Sequence, residues 1–179
     1  MTTFPHRLMG ASVLDVDTYE EVEADRGATA QALLVVLASS LAGGIGASGF
    51  IHDRQAVVQG IFLWSAVSLI AWAAWALLVF EIGGRLLPEP ETRVDVGELL
   101  RTIGFSSAPG MLRVFGIAPE LATPVFILTT LWMLVAMVVA VRQALDYRST
   151  ARAIGVCAIG LALALLIVLA FGMFATPLS

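Results

Sequence analysis

Four stretches of this chain carry no charged residue: Gly27 to Ile51, Ala56 to Phe80, Leu121 to Val141, and Ala153 to the C-terminus. Each reaches or exceeds the roughly 20 residues that a helix needs to cross about 30 Å of hydrocarbon. Lipid offers no hydrogen-bonding partners, so the backbone must be satisfied within each segment, which selects helices over open strands. These runs define the class as all-α, a polytopic integral membrane helix bundle. Composition agrees, with 13% charged residues and a mean hydropathy of +0.90, where a soluble domain carries roughly a quarter charged residues. The net charge of −4 lacks the basic footprint of a nucleic-acid binder. The opening "MTTFPHRLMG" has no apolar core for a signal peptide, so the first hydrophobic run reads as a non-cleaved span.

A fifth segment, "LLRTIGFSSAPGMLRVFGI" over 99–117, is long enough to cross but carries Arg101, Arg113 and a central Pro109-Gly110. It reads as a kinked or broken span, with both arginines near its ends where they can snorkel. The positive-inside rule arbitrates. If the segment crosses, Arg7, Arg26, Arg85, Arg93, Arg101, Arg142, Arg148 and Arg152 share one side and only Arg54 and Arg113 lie on the other. If it does not, the division is six to four. The expectation is therefore five spans, at about 27–50, 57–83, 99–117, 121–144 and 150–174, with a cytoplasmic N-terminus and an external C-terminus. All ten basic residues are Arg, and Lys and Asn are missing. That bias suits a GC-rich genome and points to a bacterial inner membrane.

Residues 1–26 form a cytoplasmic acidic segment ahead of the membrane domain at 27–179. Phe4, Leu8 and Met9 fall at the spacing of a short interfacial helix. Asp15, Asp17, Glu20, Glu21, Glu23 and Asp25 follow within eleven residues, answered locally by Arg26. Thr18-Tyr-Glu-Glu21 has the form of a capping box, starting a helix expected to run on into the first span. Helical spacing places Glu20 and Glu23 on one side with Tyr19, and Glu21 and Asp25 on another. The surface formed by Asp15, Asp17, Tyr19, Glu20 and Glu23 is the candidate partner-binding site.

Elsewhere the motifs read as structure. Gly44-x-Gly46-x-x-Gly49 matches a dinucleotide fingerprint in form only, because no strand precedes it. Small residues that let helices approach closely explain Gly43, Gly44 and Gly46 better. His52-Asp53 lacks the further ligands of a metal site, and the lone Cys157 sits in an apolar run as a small hydrophobe. No nucleophile–base set assembles from these residues. The expectation is a protein without catalytic residues, metal or cofactor, and so not an enzyme. Glu81 and Arg85, and Arg142 and Asp146, have the spacing of helical ion pairs. Trp64, Trp72, Trp75 and Trp132 suit interface anchoring or packing.

The order of these pieces, an acidic cytoplasmic segment and five spans with "RTIGFSSAPGMLRVF" third and "AVRQALDYRSTARAIGV" joining the last two, resembles the Yip family of Ypt/Rab-interacting membrane proteins in its bacterial form. The local match is Gly104, Phe105 and Pro109, where the family often has Gly-Tyr, three residues, then Pro. Here Phe105 stands in place of Tyr. The resemblance implies a small membrane scaffold that binds other membrane proteins or itself. The family's eukaryotic members also bind Rab-type GTPases through an Asp-Leu-Tyr-Gly-Pro motif. Only Asp17-Thr18-Tyr19 echoes it here, without the Gly-Pro, so GTPase binding is not carried over. The leading expectation is a non-enzymatic scaffold or accessory subunit. The alternative is a small transporter or lipid-handling protein using the broken third span.

Overall fold

The computed structural model describes residues 2–47, 54–90 and 92–175, and every regular element among them is helical. Helix α1 (Phe4–Ser12) carries Pro5 in its first turn, where the missing N–H is not needed. The chain then reverses through Leu14, held at φ 66°, into α2 (Val16–Ala24). The two cross closely at Gly10, whose added Cβ would overlap the Thr18 side chain. Helix α3 (Ala28–Ala47) follows, then α4 (Arg54–Val79), which ends in a π-helical stretch, Phe80–Leu86. Helix α5 (Val96–Phe105) gives way to a 3-10 helix (Ala108–Ile117). Helices α6 (Pro119–Ala144) and α7 (Thr150–Ala175) complete the bundle.

Three helical stretches among the described residues are long and apolar enough to cross a membrane: Ala28–Ala47, Leu69–Leu86 and Pro119–Ala144. A shorter apolar stretch covers Thr150–Ala164.

The segment 99–117 is not one α-helix. A capping box starts α5, with Asp95 accepting from the Glu98 N–H at 2.8 Å and Glu98 accepting from the Asp95 N–H at 2.7 Å. Pro109 lies in the first turn of the 3-10 helix, a position that asks for no N–H. Together α5 and the 3-10 helix lie along α3 in the same direction. A Cβ added at Gly104 would lie 2.7 Å from the Ala32 Cβ, one at Gly110 would overlap the Ser39 hydroxyl, and one at Gly116 would lie 3.2 Å from the Gly46 carbonyl oxygen. Ala32, Ser39 and Gly46 recur every seven residues, two α-helical turns. Gly104, at the end of α5, and Gly110 and Gly116, in the 3-10 helix, recur every six residues, and the step from Gly110 to Gly116 is two turns of a 3-10 helix. The same segment runs antiparallel to α6, with Ser106 against Met137, Gly110 against Met133, and Arg113 against Thr129.

Two apolar cores meet on α5. One gathers Ala76, Val79, Ile82, Leu99, Ile103, Val141, Leu145, Tyr147 and Val156 between α4 and α7. The other joins the N-terminal hairpin to the bundle through Ala11, Tyr19, Val22, Ala32, Val35, Phe105 and Ala140. Residues 2–26 thus contain a folded hairpin that packs on the bundle.

Several sequence expectations change. Helix α2 does not continue into α3: it stops at Ala24, and the Asp25 carboxylate accepts from the Gly27 N–H at 2.8 Å in the turn. The Thr18–Glu21 capping box does not form. Thr18 lies inside α2 and donates to Asp15 at 2.6 Å, while Glu21 turns toward α1. Arg142 does not pair with Asp146. Helix α6 ends at Ala144, Asp146 takes φ 52°, and Arg142 donates to the Tyr147 carbonyl at 3.2 Å. Glu81 and Arg85 do pair, at 2.7 Å, with both side chains exposed.

Candidate functional site

The acids of the N-terminal hairpin divide by the direction in which α2 presents them. Glu21 and Asp25, four apart, both face α1 and hold Arg7. The guanidinium reaches Glu21 Oε1 at 2.8 Å and Asp25 Oδ2 at 2.8 Å, and donates to Gln31 Oε1 at 3.2 Å. Arg7 is 2% exposed. A buried charge requires such partners because desolvation is costly. Glu21 also accepts from the Thr2 hydroxyl at 2.6 Å and the Thr2 N–H at 2.9 Å. Thr2 and Arg7 hold its carboxyl down to about 2. Arg7 and the Gly27 N–H likewise lower that of Asp25.

The remaining acids point elsewhere. Asp15, Asp17 and Glu20 are exposed, and Glu20 accepts from Gln143 at 2.7 Å. Glu23 is half-buried, and burial together with Asp146 and Glu98 raises its carboxyl to about 7. Tyr19 is fully buried, its hydroxyl donating to the Ala11 carbonyl at 3.1 Å. It is a core residue of the hairpin and presents no surface to a partner.

Two tryptophan and arginine contacts fix the hairpin to the bundle. Arg101 is buried rather than snorkelling. Its Nε donates to the Val22 and Glu23 carbonyls at 3.1 and 3.0 Å, and its Nη2 also reaches Glu23. It thereby satisfies the last carbonyls of α2, which no helical N–H can reach. Trp132 of α6 donates to the Ser12 carbonyl at 2.7 Å. Phe105 meets Phe4 edge-on at 6.3 Å between ring centroids. The motif residues therefore have separate tasks: Gly104 admits α3, Phe105 anchors the hairpin, and Pro109 opens the 3-10 helix.

On the opposite wall of the third segment lies a cavity of about 520 Å3. Helix α3 contributes Ser40 and Gly43, α4 contributes Trp72 and Trp75, the 3-10 helix contributes Arg113, and α6 contributes Phe126, Met133 and Met137. Gly44 and Gly46 serve close packing on this side, whereas a Cβ on Gly43 would meet only Arg113 Cδ, at 3.7 Å, among the described residues. A Cβ on Gly44 would lie 2.9 Å from Ile61 Cγ1, and one on Gly46 would overlap the Arg113 carbonyl oxygen. Gly49, His52 and Asp53 lie outside the described residues.

The loops at the hairpin end are also tied together. Tyr147 places its hydroxyl 3.0 Å from the Gly83 carbonyl and 2.8 Å from that of Leu87, at the π-helical end of α4. Thr92 donates to the Leu145 carbonyl at 2.8 Å, and Glu89 accepts from the Arg148 N–H at 3.1 Å.

Sequence reasoning missed Arg7, because its partners Glu21, Asp25 and Gln31 lie 14 to 24 residues away. The available signal was the i,i+4 placement of Glu21 and Asp25 on one face, which asks for a cation. It also missed the 3-10 helix, although Gly110, Arg113 and Gly116 recur every three residues, the period of that helix.

These features define a multi-pass helical membrane protein. Comparison with protein families matches the Yip1 domain over residues 13–171. The chain belongs to the Yip1 domain family. No curated protein and no solved structure matches it.

Proposed function

We propose that this chain is a non-enzymatic scaffold of a bacterial inner membrane, which holds its N-terminal hairpin rigidly against the bundle and offers Asp15, Asp17 and Glu20, with Glu23 at the edge, to a membrane-protein partner or a second copy. The observation that carries the reading is the attachment of the hairpin. Arg101 binds the end of α2, Trp132 binds the end of α1, and the three acids are left outward. A surface ordered in advance loses less freedom on binding. A basic segment of a partner is the complement.

Five crossings, with the N-terminus inside, fit this reading. The α5 and 3-10 stretch extends along α3 from Ala32 to Gly46. Ten residues of α-helix and ten of 3-10 helix cover about 35 Å at 1.5 and 2.0 Å per residue. The 20 residues of α3 cover about 30 Å, so the two segments are of comparable length despite the Pro-Gly break. The ties from Thr92 and Glu89 to Leu145 and Arg148 keep the arginine-rich loops at one end. A C-terminal reporter should be found outside the cytoplasm; an internal location would overturn this topology.

The scaffold reading is tested by purifying the chain from native membranes in mild detergent, beside a variant carrying Asp15→Asn, Asp17→Asn and Glu20→Gln. Wild type should retain a stoichiometric partner or self-associate, and the variant should lose it. A monomer whose associated proteins are unaltered in the variant would refute the reading. A lipid-handling role is the second reading, favoured by the cavity beside the 3-10 helix.

A further inference from the structure

Arg113 is the charged residue among those that line the cavity between α3, α4, the 3-10 helix and α6. Its backbone sits beside Gly46, near the α3 end remote from the hairpin, and its side chain extends back along α3 past Gly43. The guanidinium reaches Thr129, ten residues into α6, or about 15 Å along that helix at 1.5 Å per residue. Its partners among the described residues are neutral. Nε donates to the Thr129 hydroxyl at 3.2 Å, Nη2 donates to the Thr130 hydroxyl at 2.9 Å, and the Phe126 ring lies 5.3 Å from Cζ. No carboxylate among the described residues is within ion-pair distance of it. Nη1 makes no hydrogen bond among them.

Arg113 is half-buried, and its setting differs from those of the fully buried Arg7 and Arg101. Arg7 has two carboxylates, and Arg101 is committed to the carbonyls that end α2. An arginine within an apolar bundle ordinarily pairs or marks a ligand path. Two threonine hydroxyls do not neutralise its charge. A second polar group on the same wall is also unmet: Trp75 lines the cavity, and its buried indole N–H has no acceptor among the described residues. The rest of the wall is mostly apolar, with Trp72, Ile103, Phe126, Met133 and Met137, and the serines Ser39, Ser40 and Ser107 add neutral polar groups. An apolar chamber with a few polar groups, in the range of about 300–1,000 Å3, is the usual form of a small-molecule site.

We propose that this cavity binds one anionic lipid, its acidic head group on Arg113 and an acyl chain along Trp72, Trp75, Met133 and Met137. Charge complementarity selects an anion, and the apolar wall selects an amphiphile over a free ion. The planar guanidinium suits the oxygens of a phosphate ester or carboxylate. The site is independent of the acidic hairpin, so either reading can fail without the other.

The test is native mass spectrometry of the full-length chain after exchange into mixed micelles with equal amounts of phosphatidylglycerol and phosphatidylcholine. Wild type should retain one phosphatidylglycerol per protomer in preference to phosphatidylcholine. Arg113→Gln should weaken that retention by about 10- to 100-fold, the loss of one charge-assisted contact. Arg113→Lys should recover part of it. Gly43→Leu provides a variant that leaves Arg113 in place. A Cβ there meets only Arg113 Cδ, at 3.7 Å, among the described residues, so the longer side chain fills the cavity and should exclude the lipid while the protein stays monodisperse. Equal retention of the two lipids, or unchanged retention in folded Arg113→Gln or Gly43→Leu protein, would overturn the assignment. So would full displacement by millimolar inorganic phosphate, which would make the ligand a free anion.

Discussion

Two glycines three residues apart on α3 should respond in opposite ways to the same substitution. Gly46 faces the 3-10 helix: an added Cβ would overlap the Arg113 carbonyl oxygen, lie 2.9 Å from its carbonyl carbon and 3.1 Å from Phe126 Cε2. Carbon atoms pack best at about 3.5–4.0 Å, so the backbone of the 3-10 helix must retreat. A gap of about 0.5–1 Å removes a quarter to a half of the dispersion attraction across it. The glycine and serine contacts further along the same interface would loosen with it. Overpacking costs about 1–3 kcal/mol, and a direct overlap with backbone belongs to the upper part of that range, about 2–3 kcal/mol. Alanine recovers up to about 1 kcal/mol through helix propensity, leaving a net loss of about 1–2 kcal/mol. For a chain of this size each kcal/mol moves the melting temperature by roughly 2–4 °C. Gly46→Ala should therefore melt about 2–8 °C below wild type in detergent, followed by tryptophan fluorescence. Gly43→Ala meets only the flexible Arg113 Cδ at 3.7 Å among the described residues, so the propensity gain stands and the midpoint should stay level or rise. Equal effects at the two positions would refute the glycine-stripe account of the third segment.

Three further outcomes follow from the hairpin. Because the Glu21 carboxyl is held at about 2 against an ordinary 4.5, its stabilisation is complete above pH 4.5 and fades as pH falls toward 2. Hydrogen exchange of α1 should accelerate across that window, and Arg7→Leu should raise exchange already at neutral pH; an unchanged profile in the variant would contradict the clamp. Glu23 has the opposite sign. Its carboxyl is raised to about 7 by burial, Asp146, Glu98 and Glu20, with Arg101 opposing. Its contribution is therefore full below pH 4.5 and is lost as pH rises through about 7, so α2 should be better protected at pH 5 than at pH 8. Glu23→Gln should flatten that difference. Arg101→Met removes charge-assisted contacts worth about 1.5–3 kcal/mol each when buried. Limited proteolysis should then cut near residues 25–27 faster than in wild type while the membrane helices stay intact.

The sequence carried the parts of this protein that depend on local composition. Charge-free runs marked the long helices, since lipid excludes unpaired charge and unsatisfied backbone. The arginine distribution gave an expected orientation, and Gly104, Phe105 and Pro109 pointed to the family that the Yip1 match establishes. Pro109-Gly110 marked where the third segment changes, because proline cannot continue an α-helix without losing a bond. What the chain alone did not reveal were relations between distant residues. Helical spacing set Glu21 and Asp25 apart from the other acids, but that they hold Arg7 follows only because α1 folds back on α2. Tyr19 looked accessible and is buried because the hairpin packs on α5 and α6. Arg101 and Arg113 looked alike near the ends of one span. Only the packed bundle separates them: one closes a helix end, and the other faces a cavity with neutral partners. Hydrophobic periodicity records which faces are apolar. The fate of a charge depends on what the fold brings within about 3 Å of it.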